Sequence, residues 1–89
     1  MKKVPDKEEI IFEIKEIISR ISRIDASELE ENILIRDELG VDSLMAMEII
    51  ATCEKQFDIH IDEGILFEIE TIGDFINLVV KIYEQKHGS

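Results

Sequence analysis

Apolar residues recur at Ile10, Ile14, Ile17, Ile18 and Ile21, the spacing of one helix face. Asp6 followed three residues on by Glu9 reads as a variant capping box, with Pro5 just outside it. The spacing predicts a first helix from about Asp6 to about Arg23. Periodicity then fails across "IDASELEENILIRDELGVD", whose Asp, Ser, Asn and Gly content predicts a long, partly ordered loop pinned to the core by Leu29, Ile33, Leu34 and Leu39. It resumes with Ala46, Ile49, Ile50, Cys53 and Phe57, in a stretch free of Gly and Pro that predicts a second helix from Ser43 to Gln56.

The segment Asp58 to Asp62 breaks the pattern again. "DEGILFEI" is expected to form a short third helix, although Gly64 lies inside it and so short a helix is marginal without packing. Thr71 and Asp74 make a second cap signature, and Ile72, Phe75, Ile76, Val79 and Ile82 share one face, predicting a last helix from about Ile72 to Gln85. No alternation long enough for a sheet, internal repeat or low-complexity tract is present. The expected fold is all-α, a small four-helix bundle with three longer helices, one short third helix and a long loop between helices one and two.

Length and charge narrow the function classes. At 89 residues the chain suits a single domain, 1–89, with one small core. The 21 Asp and Glu against 10 Lys and Arg leave a net charge of -11, which repels nucleic acid and anionic membranes and favours partners with basic patches. A single cysteine, Cys53, excludes an intramolecular disulfide framework and a thiolate zinc site, so a reducing cytosol is expected. "MKKVPDKEE" lacks the apolar run of a signal peptide, and no stretch approaches the roughly 18 apolar residues of a membrane span. The acidic clusters lack the spacing of an EF-hand loop, and no metal site is expected. A soluble cytoplasmic monomer is the reading.

Candidate chemistry centres on Ser43, which opens the second helix directly after "ELGVD". A hydrolase would need a positioned base and an oxyanion hole, yet there is no G-x-S-x-G elbow, and the only histidines, His60 and His87, lie well downstream, His87 in the tail. Asp42 or Ser43 could serve only as the N-cap. Alternatively, the unpaired N–H groups and positive dipole end of a first helical turn stabilise an anion held covalently by a serine there, making Ser43 an attachment point. On the residues alone, cap and attachment both stay open.

"ELGVDSL", ending in Asp42, Ser43 and Leu44, resembles the prosthetic-group motif of acyl carrier proteins. The resemblance extends over nearly the whole chain: an amphipathic helix, a long loop, D-S-L opening helix two, "EKQFDIHI", a short third helix, and "TIGDFINLV" at the last. It implies a 4'-phosphopantetheine arm from coenzyme A joined to Ser43 through a phosphodiester, which would make the chain a phosphoprotein. The arm's thiol would hold acyl groups as thioesters in fatty acid biosynthesis, other lipid metabolism or polyketide assembly. The chain would be a carrier without catalytic turnover. Its partners would be a phosphopantetheinyl transferase and acyl-transferring or condensing enzymes with basic patches.

By the same resemblance, Asp42 and Leu44 flank the attachment point, and Leu44 and Met47 contact partner enzymes beside Glu48 and Glu54. With Ala51, Leu44 and Met47 form a stripe off the core face; the alternative is that Met47 is ordinary core. Asp37, Glu38 and Asp42 are placed to steer a basic transferase toward Ser43, or simply form a solvated acidic face. Cys53, on the apolar side of helix two, reads as a buried inert thiol, and His60 as cover for the core edge.

Several positions depart from the common family pattern. Met45 stands where an acidic residue is frequent in fatty-acid carriers, and its lack of charge should weaken salt-dependent docking to their usual enzymes. Ile65 and Phe67 stand where polar or acidic residues are more usual, and Asp62 where proline is common. These departures point to a specialised carrier with an altered acyl cavity or partner surface. An aminoacyl or peptidyl carrier with the same arm is the nearest alternative, although such carriers more often have Gly and His before the serine. An unmodified acidic helical adaptor, with Ser43 as a mere cap, is the alternative of a different class.

Overall fold

The computed structural model describes residues 6–87, so Pro5 lies outside the described residues. Three α-helices carry the fold: α1, Lys7–Ser22; α2, Ser43–Phe57; and α3, Ile72–His87. Each begins where the sequence supplies a cap. The Asp6 carboxylate accepts from the Glu9 N–H at 2.9 Å, and Arg23, in the left-handed region at φ 64°, closes α1. At α3 the cap is reciprocal: Asp74 N–H donates to Thr71 Oγ1 at 3.1 Å, while the Asp74 carboxylate accepts from the Thr71 and Glu70 N–H groups. The expected helix ends agree to within two residues, the usual uncertainty of fraying termini.

The third segment differs from expectation. It is a five-residue 3-10 helix, Glu63–Phe67, in place of a short α-helix. Asp62 accepts from the Gly64 N–H, and the Ile65 and Glu68 N–H groups donate to the Asp62 and Ile65 carbonyls three residues back, the 3-10 pattern favoured in short pieces. A second 3-10 turn, Ala26–Glu28, sits early in the long loop. Among the described residues there is no strand, only an isolated antiparallel bridge between Leu34 and Thr71.

The core collects the predicted faces: Ile10, Ile14, Ile17 and Ile18 from α1, Ile49, Ile50, Cys53 and Phe57 from α2, and Ile72, Phe75, Ile76 and Val79 from α3 are all buried. Sequence periodicity misses Val41, Ile59, Ile61 and Ile69, which are buried from non-helical segments, and Val80 on α3. No Asp, Glu, Lys or Arg is buried among the described residues. At the far end of α2, the Phe57 and Tyr83 rings meet edge to face at 6.1 Å. His87 is pinned there as well, contrary to the expectation of a tail: its Nε2 lies 3.2 Å from the Phe57 carbonyl and its ring centroid 4.6 Å from that of Tyr83.

The long loop is fixed by backbone pairing to the start of α3. Ile35 N–H donates to the Glu70 carbonyl at 2.9 Å, Ile72 N–H to Ile33 at 3.0 Å and Gly73 N–H to Glu31 at 2.8 Å. Leu29 anchors the loop from inside, and Ile33 and Leu39 pack half-buried against the core as expected, whereas Leu34 is half-buried outside that cluster and is held by its backbone bridge to Thr71. Gly73 permits the close crossing: a Cβ there would stand 3.0 Å from the Glu31 carbonyl oxygen and 3.2 Å from Glu31 Cβ. Glu38 braces the loop by accepting from the Leu34 N–H at 2.8 Å.

Two outcomes follow for stability. Gly73→Ala should cost about 1–3 kcal/mol through overpacking against a backbone atom, read as a lower urea midpoint with an unchanged slope. The Asp74 carboxyl is held below the ordinary aspartate range by the Thr71 and Glu70 N–H bonds. A depressed folded-state pKa gives stability that is present above the unfolded value of about 3.9 and lost as pH falls through the lower folded value. Asp74→Asn should therefore melt below wild type at neutral pH, with the gap closing in that acid window.

Candidate functional site

The end of the loop is built to present the start of α2. Gly40 takes φ +69°, a left-handed conformation that a side chain would strain, and turns the chain after Leu39. Val41 then drops into the core at 4% exposure, its N–H donating to the Ile35 carbonyl at 3.2 Å. With Val41 held inward, the next residues emerge at the surface. Asp42 is the N-cap: its carboxylate accepts from the Met45 N–H at 2.8 Å, and its carbonyl from the Ala46 N–H at 2.9 Å. Ser43 is the first residue of α2 and is exposed. Capping is thus performed by Asp42, which leaves the Ser43 hydroxyl at the positive end of the helix without that duty.

A cavity of about 330 Å³ opens at Ser43 and Asp42 and runs inward between the three helices. Its wall is mostly apolar, with Ile18 from α1, Ile49 from α2, Phe75 from α3, Val41 from the loop and Phe67 from the 3-10 segment, while Arg36 joins Asp42 and Ser43 as its polar lining. A group attached at the serine would meet water on one side and hydrocarbon on the other. The residues therefore fit a long arm that is anionic at its root and able to bring an acyl chain alongside the core.

The exposed stripe of α2 lies next to this mouth. Leu44 is 67% exposed and Met47 48%, so Met47 is a surface residue, and Ala51 and Glu48 are exposed with them. Asp37 is exposed on the approaching loop. Two expectations need correction, those for Glu54 and His60. Glu54 is occupied internally, accepting from the Ile61 N–H at 2.7 Å with His60 Nδ1 at 3.3 Å, and so braces the turn after α2 instead of facing outward alone. His60 does not cover the core edge, since its side chain is 89% exposed. Met45 is half-buried against the core, where an acidic side chain would face a desolvation penalty.

Both histidines belong to the opposite end of α2. His87 meets the Phe57 carbonyl, and Phe57 lies 14 helical steps from Ser43, roughly 20 Å at 1.5 Å per residue. His60 pairs with Glu54, 11 steps from Ser43 and thus roughly 16 Å along the axis. Neither can serve Ser43 as a general base in this arrangement. Among the described residues no group of three or more His, Cys, Asp or Glu could hold a metal, and no helix is long and apolar enough to cross a membrane. Sequence reading missed Ile35 and Val41 as cavity wall; the one available sign was their apolar character within an otherwise polar loop.

The phosphopantetheine attachment site family matches residues 13–79, which spans α2 and the cavity. An acyl carrier protein of Thermotoga maritima is 33% identical over 75 residues, covering 84% of this chain and 93% of that protein. A meromycolate extension acyl carrier protein of Mycobacterium leprae is 33% identical over 79 residues, covering 89% and 69%. The non-reducing polyketide synthase dbaI of Emericella nidulans is 35% identical over 77 residues, covering 86% of this chain but 3% of that much longer protein. Fold, cavity and these likenesses agree: the chain belongs to the acyl carrier protein family, and it is a phosphopantetheine-bearing carrier of acyl groups, not a catalyst.

Cys53 plays no part as a second acyl acceptor. It is fully buried, and burial, with the Glu54 charge beside it, pushes its thiol up to about 12. The nucleophilic thiolate is therefore nearly absent at neutral pH. Iodoacetamide at pH 8 should leave the folded chain unlabelled and modify Cys53 only in denaturant, as read by intact mass.

Proposed function

We propose that Ser43 is the residue to which 4'-phosphopantetheine is joined and that the chain, residues 1–89, works as a single carrier domain delivering acyl groups to successive enzymes. The observation that carries this reading is the division of labour at the head of α2: Asp42 caps the helix, while the exposed Ser43 stands at the mouth of an apolar cavity. The group, when attached, supplies a thiol on a flexible arm that holds an acyl chain as a thioester. The chain's own residues do the rest. Ser43 Oγ provides the oxygen of the phosphodiester, the first turn of α2 favours the negative charge there, and the cavity wall shields apolar cargo from water. Tethering raises the local concentration of cargo at a docked enzyme without any new contact.

Leu44 and Met47 are proposed as the apolar part of the docking face, rimmed by Glu48 and Asp37 for enzymes with basic patches. Asp37, Glu38 and Asp42 are proposed to steer the phosphopantetheinyl transferase toward Ser43. Glu38 would do so only with the carboxylate left over from its bond to the Leu34 N–H. The 3-10 segment Glu63–Phe67 acts as the short third member of a four-element helical bundle. Ile65 and Phe67 in that segment support a dedicated lipid or polyketide pathway over bulk fatty acid synthesis. The working form is a cytoplasmic monomer.

Incubation with coenzyme A and a promiscuous phosphopantetheinyl transferase, followed by intact mass spectrometry, tests the assignment. Wild type should gain one arm and Ser43→Ala none. A gain in Ser43→Ala, or an unchanged wild type, would remove Ser43 from this role.

A further inference from the structure

Arg36 stands in the loop seven residues before Ser43, and the backbone around it is fixed. Ile35 N–H donates to the Glu70 carbonyl at 2.9 Å, Val41 N–H to the Ile35 carbonyl at 3.2 Å and Gly40 N–H to the Arg36 carbonyl at 3.2 Å. The Arg36 side chain is exposed and lines the cavity that opens at Asp42 and Ser43, where it is the only cation among the described lining residues. It also lines a second cavity, of about 450 Å³, together with Asp37, Glu68 and Glu70. Arg36 thus stands between a group of carboxylates and the attachment serine.

Charge decides what it can do there. The chain already carries a net charge of -11, and Asp42 is the immediate neighbour of Ser43. A phosphodiester on Ser43 Oγ adds an anion beside that carboxylate, and near neutral pH such a group cannot relieve the repulsion by taking up a proton. A cation at the same cavity mouth offsets it. The planar guanidinium has five N–H donors in a fork that matches phosphate oxygens two at a time, enough to keep a carboxylate contact as well.

Resting on the assignment of the arm to Ser43, we propose that Arg36 is the positioning residue for the root of the arm, pairing with the phosphodiester and holding it at the cavity mouth. Asp37, Glu68 and Glu70 are the competing partners, so Arg36 is shared between the second cavity and the arm. The pairing lets this acidic loop accept a further negative charge without loss of stability.

Wild type, Arg36→Gln and Arg36→Lys are each converted to the arm-bearing form, with the gain confirmed by intact mass. The phosphorus resonance of the arm should differ between wild type and Arg36→Gln, with Arg36→Lys between them. That difference should shrink in about 1 M salt, where the screening length falls to about 3 Å. Gaining the arm should lower the melting temperature of Arg36→Gln at low salt by a few degrees more than that of wild type. In wild type alone, the Arg36 Nε–H resonance should move when the arm is added, a readout that does not depend on any variant folding. Equal phosphorus shifts in all three proteins at low salt, or an equal effect of the arm on melting in wild type and Arg36→Gln, would overturn the proposal. So would an Arg36 Nε–H signal that ignores the arm but moves in Glu68→Gln or Glu70→Gln, which would assign Arg36 to the second cavity. Each of these results leaves the Ser43 assignment standing, whereas failure of wild type to gain the arm would overturn both.

Discussion

The backbone seam between the long loop and the start of α3 is the constraint on which the site depends. Residues 31–35 donate and accept across to residues 70–73, so the twenty residues of loop between α1 and α2, 23–42, are held as a defined layer instead of a floating connection. The seam places Ile35, Ile35 receives the Val41 N–H, and Val41 in the core points Asp42 and Ser43 outward. Each link is a hydrogen bond or a buried apolar side chain, and the order of links is the order of the chain. Loosening the first would blur the position of the last without touching α2 itself.

Charge and packing divide the surface in a consistent way. With a net charge of -11 and no buried charged residue among those described, the carboxylates lie outside the core, several of them spent on caps and turns. Asp6, Asp42, Asp62 and Asp74 each accept backbone N–H groups that would otherwise be orphaned. Around the head of α2 the exposed residues include Leu44, Met47, Glu48, Asp37 and Arg36, and they form the mixed surface proposed above for docking; on such a surface electrostatics sets the encounter rate and a few apolar contacts set the residence time. The exposed ion pair of Lys86 and Asp58, 3.5 Å apart at the other end of the molecule, contributes little by comparison.

The Glu63–Phe67 segment shows where local pattern and fold part company. Its apolar residues read as a helix, but a five-residue run between Asp62 and Glu68 is too short to propagate, and only a 3-10 turn results. Phe67, at its end, is the described residue of this segment that lines the cavity.

The amino-acid sequence by itself determined the three α-helices, their caps and the faces they bury, because 3.6-residue periodicity and cap chemistry are local properties visible in a few consecutive residues. It also marked Ser43, through a motif that is contiguous in the chain. Tertiary structure alone decided which acids remain open for partners: Glu54 and Glu38 look like Glu48 in sequence, yet two are engaged by backbone N–H groups whose positions depend on the turns after α2 and within the loop. It likewise decided that His87 is docked on α2, that the loop crosses α3 closely at Gly73, and that Ile35, Val41 and Phe67 share one cavity with Ser43. Those facts arise from meetings between residues far apart in the chain, and no local period or propensity encodes such a meeting.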